Sequence, residues 1–494
     1  MNTVFSRESL ALGAQSQLDQ ARQFLFQSRL LEAARAYAAV LEREPGCVEA
    51  LGQLGNLFFQ FGQYEAALAS LQRAAHLAPG QPRLHLLIGA VLKSLGRMEA
   101  SAAACAEEIR LCPTDADAHY NLGLVRQALK RPAEAVESFQ QAVRLRPDYV
   151  DAWVGRGMAM RQAGEHEAAL PIFDRVIQLA PNHAVAHFEI ATILLSLGRF
   201  ERGWQEYEWR WKINDPTKSK PQYEQPLWDG QDLGGRRILL RCEQGFGDTI
   251  QFSRYAGLVA DLHGVVILGC PSELQPIMES VRGVAQVVTS PQNHPDFDTY
   301  APLPSLPGLL GTRLDTIPCE IPYLRAPMRA VGSPPWIKPS PALKVGVAWA
   351  VSGANVDGRL RSLPLEMLAP LLRLPGVEWY SLQCGEAVEE LQGREVAGRM
   401  ENLGARFNNF GDTAQAVSEL DLVISVDTVV AHVAGALGRR VWTLLPWETD
   451  WRWMMPREDS PWYPTMRLFR QTHHGDWAGV VTRVGAALAA LGRP

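Results

Sequence analysis

The chain has 494 residues, 47% of them hydrophobic and 20% charged, which is length for roughly three domains and too apolar for disorder. Its 48 basic residues face 53 acidic ones, and the net charge of −5 gives no electrostatic footprint for nucleic acid and no polybasic membrane signal. Seven cysteines, scattered from Cys47 to Cys384 without a Cys-x-x-Cys pair, argue against a disulfide framework or a zinc site. The opening MNTVFSRESLALGAQSQLDQ lacks a basic start followed by an apolar run, and no stretch approaches the ~18 apolar residues of a membrane span. A cytoplasmic chain with no membrane span is the expectation.

Beyond an N-terminal segment, residues 1–13, the first strong signal is a repeat. Pro45, Pro79, Pro113, Pro147 and Pro181 lie 34 residues apart, and Pro216 misses the next step by one. Gly55, Gly89, Gly123 and Gly157 keep the same register, as do Ala33, Ala67, Ala135 and Ala169, and Tyr37, Phe139, Phe173 and Tyr207. Each unit reads as two amphipathic helices. Glycine and alanine let the pair approach, the aromatic fills the gap, and proline stops the second helix. Ser101, Cys105 and Glu108 depart from this pattern. The period resembles the tetratricopeptide repeat family over residues 14–217, six repeats. That resemblance implies an α solenoid whose concave face binds a polypeptide.

Composition then shifts. Of 14 tryptophans only Trp153 precedes residue 204, and three fall in GWQEYEWRW, which reads as a capping helix. From Arg236 strand-length apolar runs alternate with helical stretches. RILLR (237–241), VVILG (265–269) and residues 286–289 predict parallel strands of a first α/β domain, residues 218–330. Five prolines between Pro327 and Pro341 mark a stiff linker. A second α/β domain, residues 331–494, has predicted strands at 344–349, 377–383, 421–426 and 440–445 and a closing helix over 477–491. Two such domains predict facing Rossmann-like folds with a ligand crevice.

Two turns carry the candidate chemistry. In Cys242–Thr249 (CEQGFGDT) the glycines Gly245 and Gly247 allow close backbone approach, and Asp248 stands where a helix begins. It suits an N-cap, and equally a general base at the carboxyl end of a strand. In Ser425–Gly438 a buried strand meets a helix capped by Asp427 and Thr428, whose N-terminus suits a diphosphate; His432 lies one turn on. A histidine there is either a ligand contact or a satisfied core residue.

The stretch SVDTVVAHVAGALGRRVWTLLP is similar to the carboxyl-domain signature of glycosyltransferase family 9, heptosyltransferase-like enzymes of GT-B fold. That family pairs an early Gly-Asp with a later Asp-Thr-Gly and a histidine, which implies site roles for Gly247, Asp248, Asp427, Thr428 and His432; Val429 stands where the family has glycine. Repeats ahead of such a domain, with EYEWRW, PLWDG, EQGFGDTIQFSRY, SVDT and DWRW in order, resemble the O-linked N-acetylglucosamine transferases and bacterial flagellin glycosyltransferases. The resemblance implies an inverting, metal-independent transfer from a nucleotide-sugar co-substrate, with no cofactor, to a protein acceptor such as flagellin held by the repeats. By the same analogy Arg361, with Arg359 as a weaker neighbour, supplies a phosphate-binding cation. Gln383 ends its strand at the crevice, and Trp447, Asp450, Trp451, Arg452 and Trp453 either wall a nucleobase site or cement the interior. Asp296 and Asp298 resemble a metal-binding Asp-x-Asp only superficially. A non-catalytic repeat scaffold and a heptosyltransferase-like enzyme of surface polysaccharide synthesis are the alternatives.

Overall fold

The computed structural model describes residues 7–213, 223–243, 245–289, 294–351, 356–391 and 398–491. Pro216 and Gln244 lie outside them, as do residues 352–355 of the Gly-rich turn before Arg361. The chain divides into two compact units, Met1–Ala186 and His187–Pro494.

The first unit consists of antiparallel helix pairs: Arg7–Phe26 with Leu30–Arg43, Val48–Gln60 with Tyr64–Leu77, Leu84–Ser94 with Met98–Leu111, Ala116–Ala128 with Pro132–Leu145, and Val150–Gln162 with His166–Leu179. The prolines of the 34-residue period each follow a helix C-cap directly, at Glu44, Ala78, Cys112, Arg146 and Ala180. The periodic glycines are contact points. A Cβ at Gly123 would stand 2.7 Å from the Phe139 ring, and one at Gly157 2.6 Å from Phe173, so only glycine lets each pair close over its aromatic. The departures in the third repeat are also interior groups with partners. Ser101 donates to the Gly89 carbonyl at 2.6 Å, and the buried Glu108 carboxylate accepts from the Arg83 and Leu86 amides at 2.7 and 3.2 Å. Glu108 therefore serves the N-terminus of helix Leu84–Ser94, where unpaired N–H groups and the helix dipole favour a negative charge.

The second unit holds a cap helix, Phe200–Tyr207, followed by a 3-10 turn, Glu208–Lys212, and two parallel sheets. The period alone puts the boundary at 217/218, but interior contacts bind this cap to the sheets. The Trp204 indole donates to the Thr312 carbonyl at 3.0 Å, and Trp204 and Tyr207 pack edge-on against Trp451 at 5.3 and 5.7 Å. Arg210, whose side chain is 2% exposed, pairs with Glu243 at 2.6 Å.

The first sheet comprises β1 (Arg237–Arg241), β2 (Val265–Gly269), β3 (Val284–Val288) and β4 (Thr299–Pro302), in the order β3-β2-β1-β4 and parallel throughout. The second comprises β5 (Leu343–Ala348), β6 (Val377–Ser381), β7 (Glu401–Asn402), β8 (Leu422–Val426), β9 (Val441–Leu445) and β10 (Met466–Arg470), in the order β10-β9-β8-β5-β6-β7, also parallel. Both are doubly wound: the chain runs outward from the first strand, then returns to its other side, which opens a crevice between β1 and β4 and another between β5 and β8. The Pro-rich linker is pinned rather than loose. Arg329 pairs with Glu419 at 2.7 Å, and the Trp336 indole donates to Gln415 at 3.1 Å. Helix Trp477–Leu491 closes the chain, burying Val480, Val481, Val484 and Leu488. Asp298, half of the superficial Asp-x-Asp, accepts the Arg237 amide at 2.7 Å and so serves the edge of β1.

Candidate functional site

Residues after β1 and after β8, the crevice strands of the two sheets, meet at one cavity of about 620 Å³. Gly247 and Asp248 line it from the turn after β1; Asp427, Thr428 and His432 line it from the turn after β8. Arg361, Gln383, Asp450 and Arg452 add to its polar wall, as do Glu273, Asn408, Asn409 and Thr413. Phe246 and Phe410, edge-to-face at 5.0 Å, supply apolar wall.

The turn after β8 forms a helix N-terminus. Thr428 caps helix Val429–Ala436, its hydroxyl accepting the Val430 amide at 3.3 Å and lying 2.9 Å from the Ser425 hydroxyl. Asp427 does not cap that helix through its side chain. Its carboxylate lies 3.5 Å from Arg361 Nη1, which also donates to the Asp427 carbonyl at 3.3 Å. Arg361 is thereby drawn to the cavity, whereas Arg359 is exposed and not part of its lining. Burial and the Asp450 carboxylate push the Asp427 carboxyl above its ordinary value, against the pull of Arg361.

Asp248 has no capping role either. Gly245 is the N-cap of helix Phe246–Ser253, and Asp248 is its third residue. The carboxylate instead meets Arg452 at 2.5 Å, and Arg452 also pairs with Asp450 at 2.8 Å. One buried guanidinium thus serves two carboxylates. Burial, with Asp450, Asp427 and Glu243 nearby, outweighs Arg452 and raises the Asp248 carboxyl to about 6. That value is matched to accepting a proton near neutral pH.

Gly247 has a use its spacing did not disclose. A Cβ there would sit 2.7 Å from His432 Cδ2 and 3.0 Å from Nε2, so the glycine makes room for the imidazole. His432 is 5% exposed, and its Nδ1 lies 2.9 Å from the Tyr463 hydroxyl. Burial, assisted by the Arg452 and Arg254 charges, pushes its pKa down to about 3, so the ring is neutral.

Two candidates are corrected. Trp451 lies outside the cavity lining; it is 5% exposed and packs among Trp204, Tyr207, Phe252 and Trp462 in the core. Its neighbours Asp450 and Arg452 reach the cavity because the Asp450 side chain caps the 3-10 turn Trp451–Trp453 and turns the aromatics inward. Gln383 lines the cavity, but its amide is spent on the chain. Oε1 accepts from the Trp349 and Ala350 amides at 3.1 and 3.0 Å, and Nε2 donates to the Ala350 and Cys384 carbonyls, both at 3.1 Å. With two acceptor and two donor positions filled, it holds the loop after β5 and has no hydrogen bond left for a ligand. Sequence reasoning noted Arg452 only within a tryptophan cluster and missed Tyr463 and Arg254. The signal for Arg452 was a lone cation amid aromatics after a buried strand.

Among the described residues, no group of three or more His, Cys, Asp or Glu side chains is arranged to hold a metal ion, and no helix is long and apolar enough to cross a membrane.

Comparison with known proteins matches the tetratricopeptide repeat family at residues 18–82, 53–116 and 120–184. Protein FlbA of Caulobacter vibrioides is 28% identical over 344 residues, covering 62% of this chain and 55% of FlbA, so the chain spans about half the length of that curated relative. Among solved structures, the MamA protein is 24% identical over 35% of this chain and 94% of its own, with a TM-score of 0.32. A tetratricopeptide repeat protein from Parabacteroides merdae is 18% identical over 42% of this chain and 80% of its own, with a TM-score of 0.36. Residues 18–184 carry tetratricopeptide repeats, a parallel-sheet α/β region follows them, and FlbA is a distant relative of the chain.

Proposed function

We propose that the α/β unit is an inverting GT-B glycosyltransferase, moving a sugar from a nucleotide-sugar donor to Ser or Thr hydroxyls of a protein acceptor held by the repeats. Flagellin or another surface protein is the leading acceptor class. The reading rests on one observation: a carboxylate poised near pH 6, a capped helix N-terminus and two arginines share one cavity at the crevices of two doubly wound sheets. In this reaction Asp248 takes the acceptor hydroxyl proton as that oxygen attacks the anomeric carbon. The bond from that carbon to the diphosphate breaks, and the nucleoside diphosphate leaves carrying the electron pair. Its charge is met by the Thr428-capped helix, Arg361 and Arg452. The nucleotide sugar is a co-substrate, and no cofactor enters.

A thermal-shift screen of nucleoside diphosphates and their sugars tests this. Ligand at about a hundred times its Kd adds ~2.7 kcal/mol of stability, a plain rise in Tm. If no nucleotide raises Tm, the donor site is wrong. The Asp248–Arg452 contact at 2.5 Å favours a second reading, a non-catalytic scaffold in which that pair is purely structural. A scaffold binds its partner protein but turns over no sugar nucleotide.

A further inference from the structure

His432 belongs to a buried chain of hydrogen bonds that runs away from the cavity. Its Nδ1 meets the Tyr463 hydroxyl at 2.9 Å; that hydroxyl lies 3.4 Å from the Tyr323 hydroxyl, which Arg254 Nη2 reaches at 3.0 Å. Arg254 follows the last residue of the Asp248 helix and is 7% exposed. Its remaining donors go to carbonyls: Nε to Gln251 at 2.7 Å, Nη1 to Trp462 at 2.5 Å and to Pro318 at 3.2 Å. The guanidinium lies over both phenol rings, 4.4 Å from the Tyr323 centroid and 4.7 Å from that of Tyr463.

Arginine donates and never accepts, so this arrangement has a direction. A phenol oxygen that receives a guanidinium N–H turns its own proton away from the cation. Tyr323 has the Ile250 carbonyl at 3.1 Å or the Tyr463 oxygen at 3.4 Å to receive its proton, so Tyr463 is the acceptor in that pair. Tyr463 has His432 Nδ1. An Nδ1 that accepts leaves the ring proton on Nε2, and that edge lies against Gly247, with both residues lining the cavity. Arg452, Arg254 and Arg361 all disfavour a second proton on the ring, while Asp450 pulls the other way and is outweighed.

We propose that Tyr463, backed by Arg254, is a positioning residue that holds His432 in its Nε2-protonated tautomer, making it a fixed neutral hydrogen-bond donor to an anionic oxygen in the cavity. A neutral imidazole donating from Nε2 cannot accept a proton there, so the base of the proposed transfer is Asp248 and the imidazole attends the departing diphosphate. That last step rests on the transferase reading; the tautomer does not.

Two-bond proton–nitrogen NMR of the histidine-labelled full chain tests it, with His432→Asn identifying the signal among 11 histidines. We expect a neutral, Nε2-protonated ring between about pH 5 and 8, whose Nε2 signal moves when inorganic pyrophosphate is added. Tyr463→Phe keeps the buried ring but removes the donor to Nδ1. It should mix the tautomers and weaken pyrophosphate binding roughly tenfold. Tyr323→Phe, which leaves the Arg254–Tyr463 contact, should retain the single tautomer. A proton on Nδ1, an imidazolium near neutrality, an unchanged tautomer in Tyr463→Phe, or an Nε2 signal indifferent to pyrophosphate would each overturn the proposal. A chain with all the expected signals but no sugar turnover would sink the transferase reading alone.

Discussion

Asp248→Asn is the perturbation with the most to say, because it separates base, ion pair and fold. The folded carboxyl stands at about 6 against an ordinary value near 3.8, roughly two units. At ~1.36 kcal/mol per unit that is about 3 kcal/mol, on a side chain 20% exposed. The folded pKa is the higher one, so the folded state binds the proton more tightly than the unfolded state. Stability from this group is therefore greatest below about pH 4 and declines as pH rises to about 6. The asparagine variant has no such slope, so denaturant midpoints of the two proteins should diverge across that interval and run parallel above it. Activity runs the other way. Only ionised Asp248 accepts a proton, so kcat/KM should climb through about pH 6 and then level. The substituted amide keeps the volume and an oxygen for Arg452, which leaves donor affinity within a few fold, while transfer falls by roughly 10²–10⁴. A variant that keeps most of its turnover, or shows the same acid limb, refutes the assignment and moves the base elsewhere.

Gly247→Ala would press a methyl to 2.7 Å from His432 Cδ2; overpacking of this kind costs about 1–3 kcal/mol, read as a lower Tm with weakened pyrophosphate binding. Transfer should survive EDTA, because Asp248 and Asp450 already share the Arg452 cation; loss restored by magnesium or manganese would end the metal-independent expectation. A truncated chain beginning near Ala184 should still bind and slowly hydrolyse its sugar nucleotide but fail on the full-length acceptor, since tethering on the repeats supplies the local acceptor concentration. Equal rates from truncated and whole chains would show that the repeats do not hold substrate.

The repeats were legible because their physics is local and periodic. A glycine facing an aromatic sixteen residues later needs no distant partner, and Gly123 against Phe139 repeats as Gly157 against Phe173. Strands β1, β2, β5, β8 and β9 were legible for a similar reason, as short, mostly apolar runs whose central residues are buried. β4 and β7 were not: four residues ending in Pro302, and two residues, carry too little pattern. β10, Met-Arg-Leu-Phe-Arg, hides its strand alternation behind a Trp- and Pro-rich stretch. At the site, Gly247, Asp248, Asp427, Thr428 and His432 stand in two short motifs and meet at one cavity. What each does there depends on partners far along the chain. Asp248 waits for Arg452, His432 for Tyr463, and Gly247 for His432. Composition around Trp451 could not say which of the four residues Asp450 to Trp453 faces inward, because the Asp450 cap decides that through three-dimensional hydrogen bonding.

The cap helix gives the domain boundary a chemical meaning. Arg210 holds Glu243 in the turn that carries Gly247 and Asp248, and Trp204 and Tyr207 hold Trp451, the residue between Asp450 and Arg452. Both arms of the Asp248–Arg452 pair are therefore supported from one short stretch, Trp204 to Arg210, that the repeat period assigns to the solenoid. The Arg210 guanidinium is buried against Glu243, Glu208 and Ser305, and removing it breaks the ion pair with the Glu243 carboxylate, itself 9% exposed. Breaking a buried ion pair by removing one partner costs about 3–5 kcal/mol. A cut at the end of the period would thus disturb the candidate base and its arginine even while sparing every strand. Loss of activity from such a cut would say nothing about acceptor binding. Only a cut ahead of the cap separates the two roles.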